Sequence, residues 1–86
     1  MNINVSNLSL NTIDSDLRKL FSVYGEVNSA LVVRSNSNGR TQGTAIVDMV
    51  NDSQAVQAIL GLNSKMVDGK KISVSEVEYN PNRYKN

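Results

Sequence analysis

Apolar and polar residues alternate from the start of the chain, in Ile3-Asn4-Val5-Ser6-Asn7-Leu8. A period of two marks a strand with one buried face. Asn7 and Asn11 suggest a turn region after it. Thr12 reads as a helix N-cap, with Asp14 and Asp16 where the helix dipole favours acid. Ile13, Leu17, Leu20, Phe21 and Tyr24 then recur at helical spacing and share one face. Gly25 follows as the expected stop. Val27 to Arg34, containing Ala-Leu-Val-Val, predicts a second strand. Ser35 to Gly39 is turn chemistry ending in the hairpin dipeptide Asn-Gly. Gly43 to Met49 predicts a third strand, antiparallel to the second.

Asn51, with Gln54 three residues later, resembles a capping box. The helix it predicts runs from about Asp52 to Leu60 and places Ala55, Ile59 and Leu62 on one face, with Ala58 beside them. Asp68-Gly69 marks another turn, and Lys71 to Val77 alternates again, with Ile72 and Val74 inward. The order strand, helix, strand, strand, helix, strand predicts an α+β, ferredoxin-like βαββαβ fold. In it a four-stranded antiparallel sheet carries two helices on one face and leaves the other open. The expected core includes Leu17, Leu20, Phe21, Val47, Ile59 and Ile72. The pattern divides the chain into a domain over 1–78 and a tail over 79–86, where Pro81, Arg83 and Lys85 show no periodicity.

Composition narrows the chemistry. The 86 residues make one domain with a small core. There is no cysteine, which excludes a disulfide framework, Cys-ligated zinc and thiol catalysis. There is no histidine, the commonest general base and metal ligand. The carboxylates are scattered: Asp14 and Asp16 point to different helix faces, and Glu76 with Glu78 has no second catalytic feature beside it. Gly39, Gly43 and Gly69 form no phosphate-binding pattern. The sequence therefore predicts a binding domain, not an enzyme, with no metal and no cofactor. No apolar run reaches the roughly 18 residues of a membrane span, and no secretory signal opens the chain. A cytoplasmic location is the expectation. Nine Lys or Arg against eight Asp or Glu leave a net charge of +1, too small to point to nucleic acid alone.

Element order, length and two short motifs resemble the RNA recognition motif family over about residues 1–78, in the style of short single-domain bacterial RNA-binding proteins. The family's first-strand motif reads apolar, aromatic, apolar, any, Asn or Gly, Leu; Ile3 to Leu8 matches except for the aromatic. Its third-strand motif reads basic, Gly, aromatic, Gly or Ala, aromatic, Val, any, aromatic. Here Gln42-Gly43-Thr44-Ala45-Ile46-Val47-Asp48-Met49 keeps Gly43, Ala45 and Val47 and loses the basic residue and all three aromatics. Supporting matches are Asp16-Leu17, Leu20-Phe21, Tyr24-Gly25, Gly39-Arg40, Leu62-Asn63 and Asp68-Gly69-Lys70.

The resemblance implies single-stranded RNA as partner, held on the open sheet face by base stacking. The positions matching the stacking aromatics are Asn4, Thr44 and Ile46, which have no π-surface. Each lost platform forgoes roughly 1–3 kcal/mol, so weak binding is implied. Met49, matching the last aromatic, is expected to fill the core. Asn4, Ser6, Gln42, Thr44, Ser73 and Ser75 offer hydrogen-bond groups to base edges, or simply solvate the face. Asp48 shares that face and would repel phosphate. Arg34 and Arg40 flank the loop between the second and third strands, and Lys70 and Lys71 start the fourth strand. With Arg83 and Lys85 of the tail they form a basic set suited to phosphates. Arg18 and Lys19 lie on the first helix, with part of their charge turned away.

A second reading stays open: a protein-interaction module, or a homodimer, on the same fold. Ala30 and Val32 match the family's inward positions, so Leu31 and Val33 join Ile46 as an aliphatic patch on the open face. Another protein surface could cover it, or the tail through Tyr79 and Tyr84, which would also restore a stacking platform.

Overall fold

The computed structural model describes residues 1–77. The elements are β1 (Asn2–Ser6), α1 (Asp14–Ser22), β2 (Val27–Arg34), β3 (Thr41–Met49), α2 (Asp52–Leu62), β4 (Met66–Val67), β5 (Lys70–Lys71) and β6 (Ser73–Glu76). β2, β3, β1 and β6 form one antiparallel sheet in that order, and β4 with β5 forms a separate small hairpin. This is the predicted ferredoxin-like arrangement, with that hairpin inserted before the last strand.

Alternation decides the two faces. Ile3 and Val5 of β1, Ala30 and Val32 of β2, Ala45, Val47 and Met49 of β3, and Val74 of β6 are buried. They pack against Leu17 and Phe21 of α1 and Ala55, Ala58 and Leu62 of α2 in one core. Leu20 and Ile59, expected in the core, are half-buried at its margin. Met49 is fully buried, as its place in the alternation requires.

The helix starts differ from one another. α2 begins as expected, with the Asn51 side chain accepting from the Gln54 N–H at 3.0 Å. It ends at Leu62, two residues beyond the expected Leu60. α1 is not capped by Thr12. Its cap is Ile13, held in an extended conformation (φ −115°, ψ 170°). Ile13 has no side-chain acceptor; instead Asp16 Oδ2 reaches back to the Ile13 N–H at 3.1 Å. Ile13 therefore lies outside the helix and is 51% exposed, so it does not join the buried face. Nor does Gly25 stop α1, whose C-cap is Val23. A Cβ on Gly25 would collide with the Gln54 side chain, so the glycine makes room for α2.

Side chains engage backbone groups on both edges of the sheet. On the β2 edge, Asp14 Oδ1 accepts from the Val32 N–H at 2.8 Å, and Arg18 donates to the Val27 carbonyl at 2.8 Å. One turn of α1 separates these two residues, so they present together along the strand. On the β6 edge, Asn63 Oδ1 accepts from the Val74 N–H at 3.0 Å.

Candidate nucleic-acid interface

Strand registers set the order of side chains on the face away from the helices. Leu31 pairs with Ile46, Ile46 with Asn4, and Asn4 with Ser75. These four make one row across all four strands. Ser6 pairs with Ser73 in the next row towards the end of β1. Asp48, opposite Asn2, lies in the row at the other end. Thr44 is half-buried and Gln42 exposed, both on the alternation of Ile46. The structure thus brings Asn4, Ser6, Gln42, Thr44, Ile46, Ser73 and Ser75 onto one surface, with a lipophilic side towards β2. On that side Leu31 is 60%, Val33 37% and Ile46 36% exposed.

Two motif positions owe their residue types to backbone conformation. β1 ends where Asn7 takes φ +59°, a left-handed value that Asn tolerates. Gly43 takes φ +76°, and its carbonyl accepts from the Leu8 N–H at 2.9 Å. The β2–β3 register shifts in the same stretch, between Val32 and Arg34, so the sheet is bulged there.

The cations gather at one end of the sheet. Arg34 ends β2, paired with Thr41 of β3, and Arg40 lies in the loop between the two strands. Asn38 Oδ1 accepts from the Arg40 N–H at 2.9 Å, and the Ser35 N–H donates to the Arg40 carbonyl at 2.8 Å. Gly39 alone of the Asn-Gly dipeptide is left-handed (φ +69°), so the loop is not the two-residue type that Asn-Gly usually signals. At the opposite edge of the same end lie Lys70 and Lys71. They do not start the fourth strand; they form β5, one half of the small hairpin. Its turn is Asp68-Gly69, both left-handed (φ +51° and +79°), as a two-residue turn of type I′ requires. Asp14 and Asp16 also sit towards this end, but on α1 behind the sheet, and each is engaged by a backbone N–H.

Asp48, at the other end, accepts from Asn28 Nδ2 at 2.9 Å, and the Met1 amino nitrogen lies 3.4 Å from it. Arg18 is taken up by the Val27 and Asn28 carbonyls and is not part of the interface. Tyr79, Tyr84, Arg83 and Lys85 lie outside the described residues, as does the expected boundary at residue 78. A groove of about 590 Å³ opens on the helix side, between Leu20 of α1, Val23 and Tyr24 just after it, Leu62 of α2 and Val67 of the hairpin. It is on the opposite side of the molecule from the sheet face. Among the described residues, no cluster of acidic, Cys or His side chains could hold a metal, and no helix is long and apolar enough to cross a membrane.

Known proteins share this geometry. The crystal structure of RNA binding protein PG1 superposes with a TM-score of 0.89 at 36% identity, over 94% of this chain and 98% of that one. The Sxl-lethal protein/RNA complex matches with a TM-score of 0.86 at 29% identity, over 92% of this chain and 47% of that one. Among curated proteins, glycine-rich RNA-binding protein 1 of Mycosarcoma maydis is 35% identical over 77 residues, which is 90% of this chain and 44% of the relative. A chloroplastic 28 kDa ribonucleoprotein of Spinacia oleracea is 37% identical over 79 residues, 92% of this chain and 34% of the relative. The chain thus spans less than half the length of these curated relatives. The family model described as RNA recognition motif matches residues 3–73, from the first buried residue of β1 to the start of β6. Sheet order, left-handed Asn7 and Gly43 and this match converge: the chain belongs to the RNA recognition motif family.

Proposed function

We propose that this domain binds single-stranded RNA weakly, across the open sheet face, with most of the free energy supplied by phosphate contacts. The observation that carries this reading is the placement of Arg34 and Arg40 at one edge and Lys70 and Lys71 at the other edge of the same sheet end. A strand of RNA laid along that end meets cations at both sides, with Ser6, Thr44 and Ser73 between them. Asn4, Gln42 and Ser75 extend the donors and acceptors available to base edges, and Ile46 offers an apolar contact in place of stacking. Membership of the family and the RNA in the Sxl-lethal complex support an RNA ligand over a substrate to be transformed. The domain acts as a binder and not as an enzyme.

The test is titration with random-sequence single-stranded RNA over a range of salt. If about four phosphates are neutralised, the log–log salt slope should be about −3. Arg40→Ala should weaken binding to all sequences and make that slope shallower by about 0.7. Tight, salt-insensitive binding to one short sequence would place the reading surface elsewhere.

A second reading, contact with a protein or with another copy of the chain, is favoured by exposed Leu31 beside Val33 and Ile46. Sedimentation at high protein concentration tests the self-association version, which strict monomer behaviour would remove. A cytoplasmic location remains an expectation from composition and bacterial origin one from the resemblance; the relatives named above include a chloroplastic protein.

A further inference from the structure

We propose that Asn7 is a positioning residue for RNA binding, whose side-chain amide hangs the Lys70–Lys71 strand beside the open face. The inference rests on the RNA reading above and adds to it a residue that carries no charge. The β1–β6 ladder runs only to the pair Ser6–Ser73. One residue further, Asn7 turns left-handed, and its Nδ2 donates to the Lys71 carbonyl at 2.8 Å. A side chain thus takes over where the backbone pairing stops, joining positions 64 residues apart in the chain.

The object it holds is small. β4 and β5 have two residues each and form a sheet of their own. A lone hairpin of that size is not independently stable in water. Its other ties are the Ser64 N–H to the Ile72 carbonyl (2.8 Å), the Ile72 N–H to the Lys65 carbonyl (3.0 Å), the buried Ile72 side chain next to Lys71 and the half-buried Val67. Those bonds hold the base of the hairpin to the end of α2. The Asn7 amide alone among the described contacts ties β5 to the end of β1. Ile72 is buried, so Lys71 and Ser73 on either side of it share the outward alternation. Fixing the Lys71 backbone therefore fixes the point beside Ser73 from which its flexible side chain reaches out.

Asn7→Gly separates the amide from the backbone, because glycine adopts φ +59° without steric cost. Wild type, Asn7→Gly, Lys71→Ala and the double variant should be compared by titration with the random-sequence RNA over salt. Asn7→Gly should weaken binding about three- to tenfold, the scale of one long side chain to be ordered on binding. Its salt slope should move towards that of Lys71→Ala. In the Lys71→Ala background, Asn7→Gly should cost clearly less than it does alone, since only Lys70 remains on that strand to place. Additive losses, or a loss in Lys71→Ala with none in Asn7→Gly, would overturn the proposal. Hydrogen exchange on the RNA-free protein gives a readout independent of the RNA reading. The hairpin amides should exchange faster in Asn7→Gly while β1 and β3 stay protected, and unchanged hairpin protection overturns the proposal even if RNA binds. If wild type binds no RNA while the hairpin loosens as expected, the function fails and takes the RNA role of Asn7 with it, leaving the tether as structure only.

Discussion

At Gly43 the chain takes φ +76°, and a Cβ there would stand 3.2 Å from the Leu8 carbonyl oxygen, a backbone atom that cannot swing aside. Gly39 is left-handed to a similar degree, but nothing lies within 4 Å of where its Cβ would be. The two positions separate conformational cost from steric cost. Gly39→Ala should lose roughly 1 kcal/mol, the penalty of an L-residue in the left-handed region. Gly43→Ala should lose more, roughly 2–3 kcal/mol, since it adds the contact to the same penalty. Thermal unfolding checks this: the midpoint should fall by roughly 4–8 °C for each kcal/mol in a domain of this size. Equal shifts would mean that the Leu8 contact relaxes freely. Neither glycine shows its reason in the sequence: the alternation marks Gly43 only as a strand residue, and the Leu8 carbonyl that crowds it lies past the end of another strand. Gly25 owes its residue type to a side chain of α2 that is likewise distant in sequence.

The helices show why one element start was legible and the other was not. Asn51 carries its own acceptor, so the sequence signal and the physical cap are the same residue. Asn51→Ala should cost about 1 kcal/mol, and Asn51→Ser or Asn51→Asp should recover most of it in denaturant unfolding. No loss in the alanine variant would mean that water caps the Gln54 N–H as well as the side chain does. For α1 the residue with the capping hydroxyl, Thr12, is buried and one place too early. The cap falls on an apolar residue because Asp16 satisfies the Ile13 N–H from inside the helix. The β4–β5 hairpin escaped for a different reason. Its turn, Asp68-Gly69, is a strong signal, but strands of two residues are too short to show a period. Reading that turn as a plain break put Lys70 and Lys71 on the last strand, whereas they belong to a separate hairpin.

For the whole molecule, the open face was legible from period two alone: every position expected outward on β1, β3 and β6 is outward. The gathering of Arg34, Arg40, Lys70 and Lys71 at one end was legible only through the family resemblance, because it depends on strand order and on two turns far apart in the chain. A net charge of +1 conceals it, since charge summed over a chain carries no position. Strand order also creates two outer edges, and the bonds from Asp14 to Val32 and from Asn63 to Val74 bear on more than the folded monomer. An unoccupied edge N–H is a template for a strand of another molecule. β2 is the more hazardous edge, with eight residues and with Leu31 and Val33 exposed along it. Asp14→Ala uncovers that edge, and the protein should form thioflavin-positive aggregates on concentrated storage. Asp14→Asn, which keeps an acceptor oxygen, should stay clear; identical behaviour of the two would remove the carboxylate from the explanation. Asp14 is in this sense a guard on solubility, and its worth is measured in the shelf life of a crowded solution.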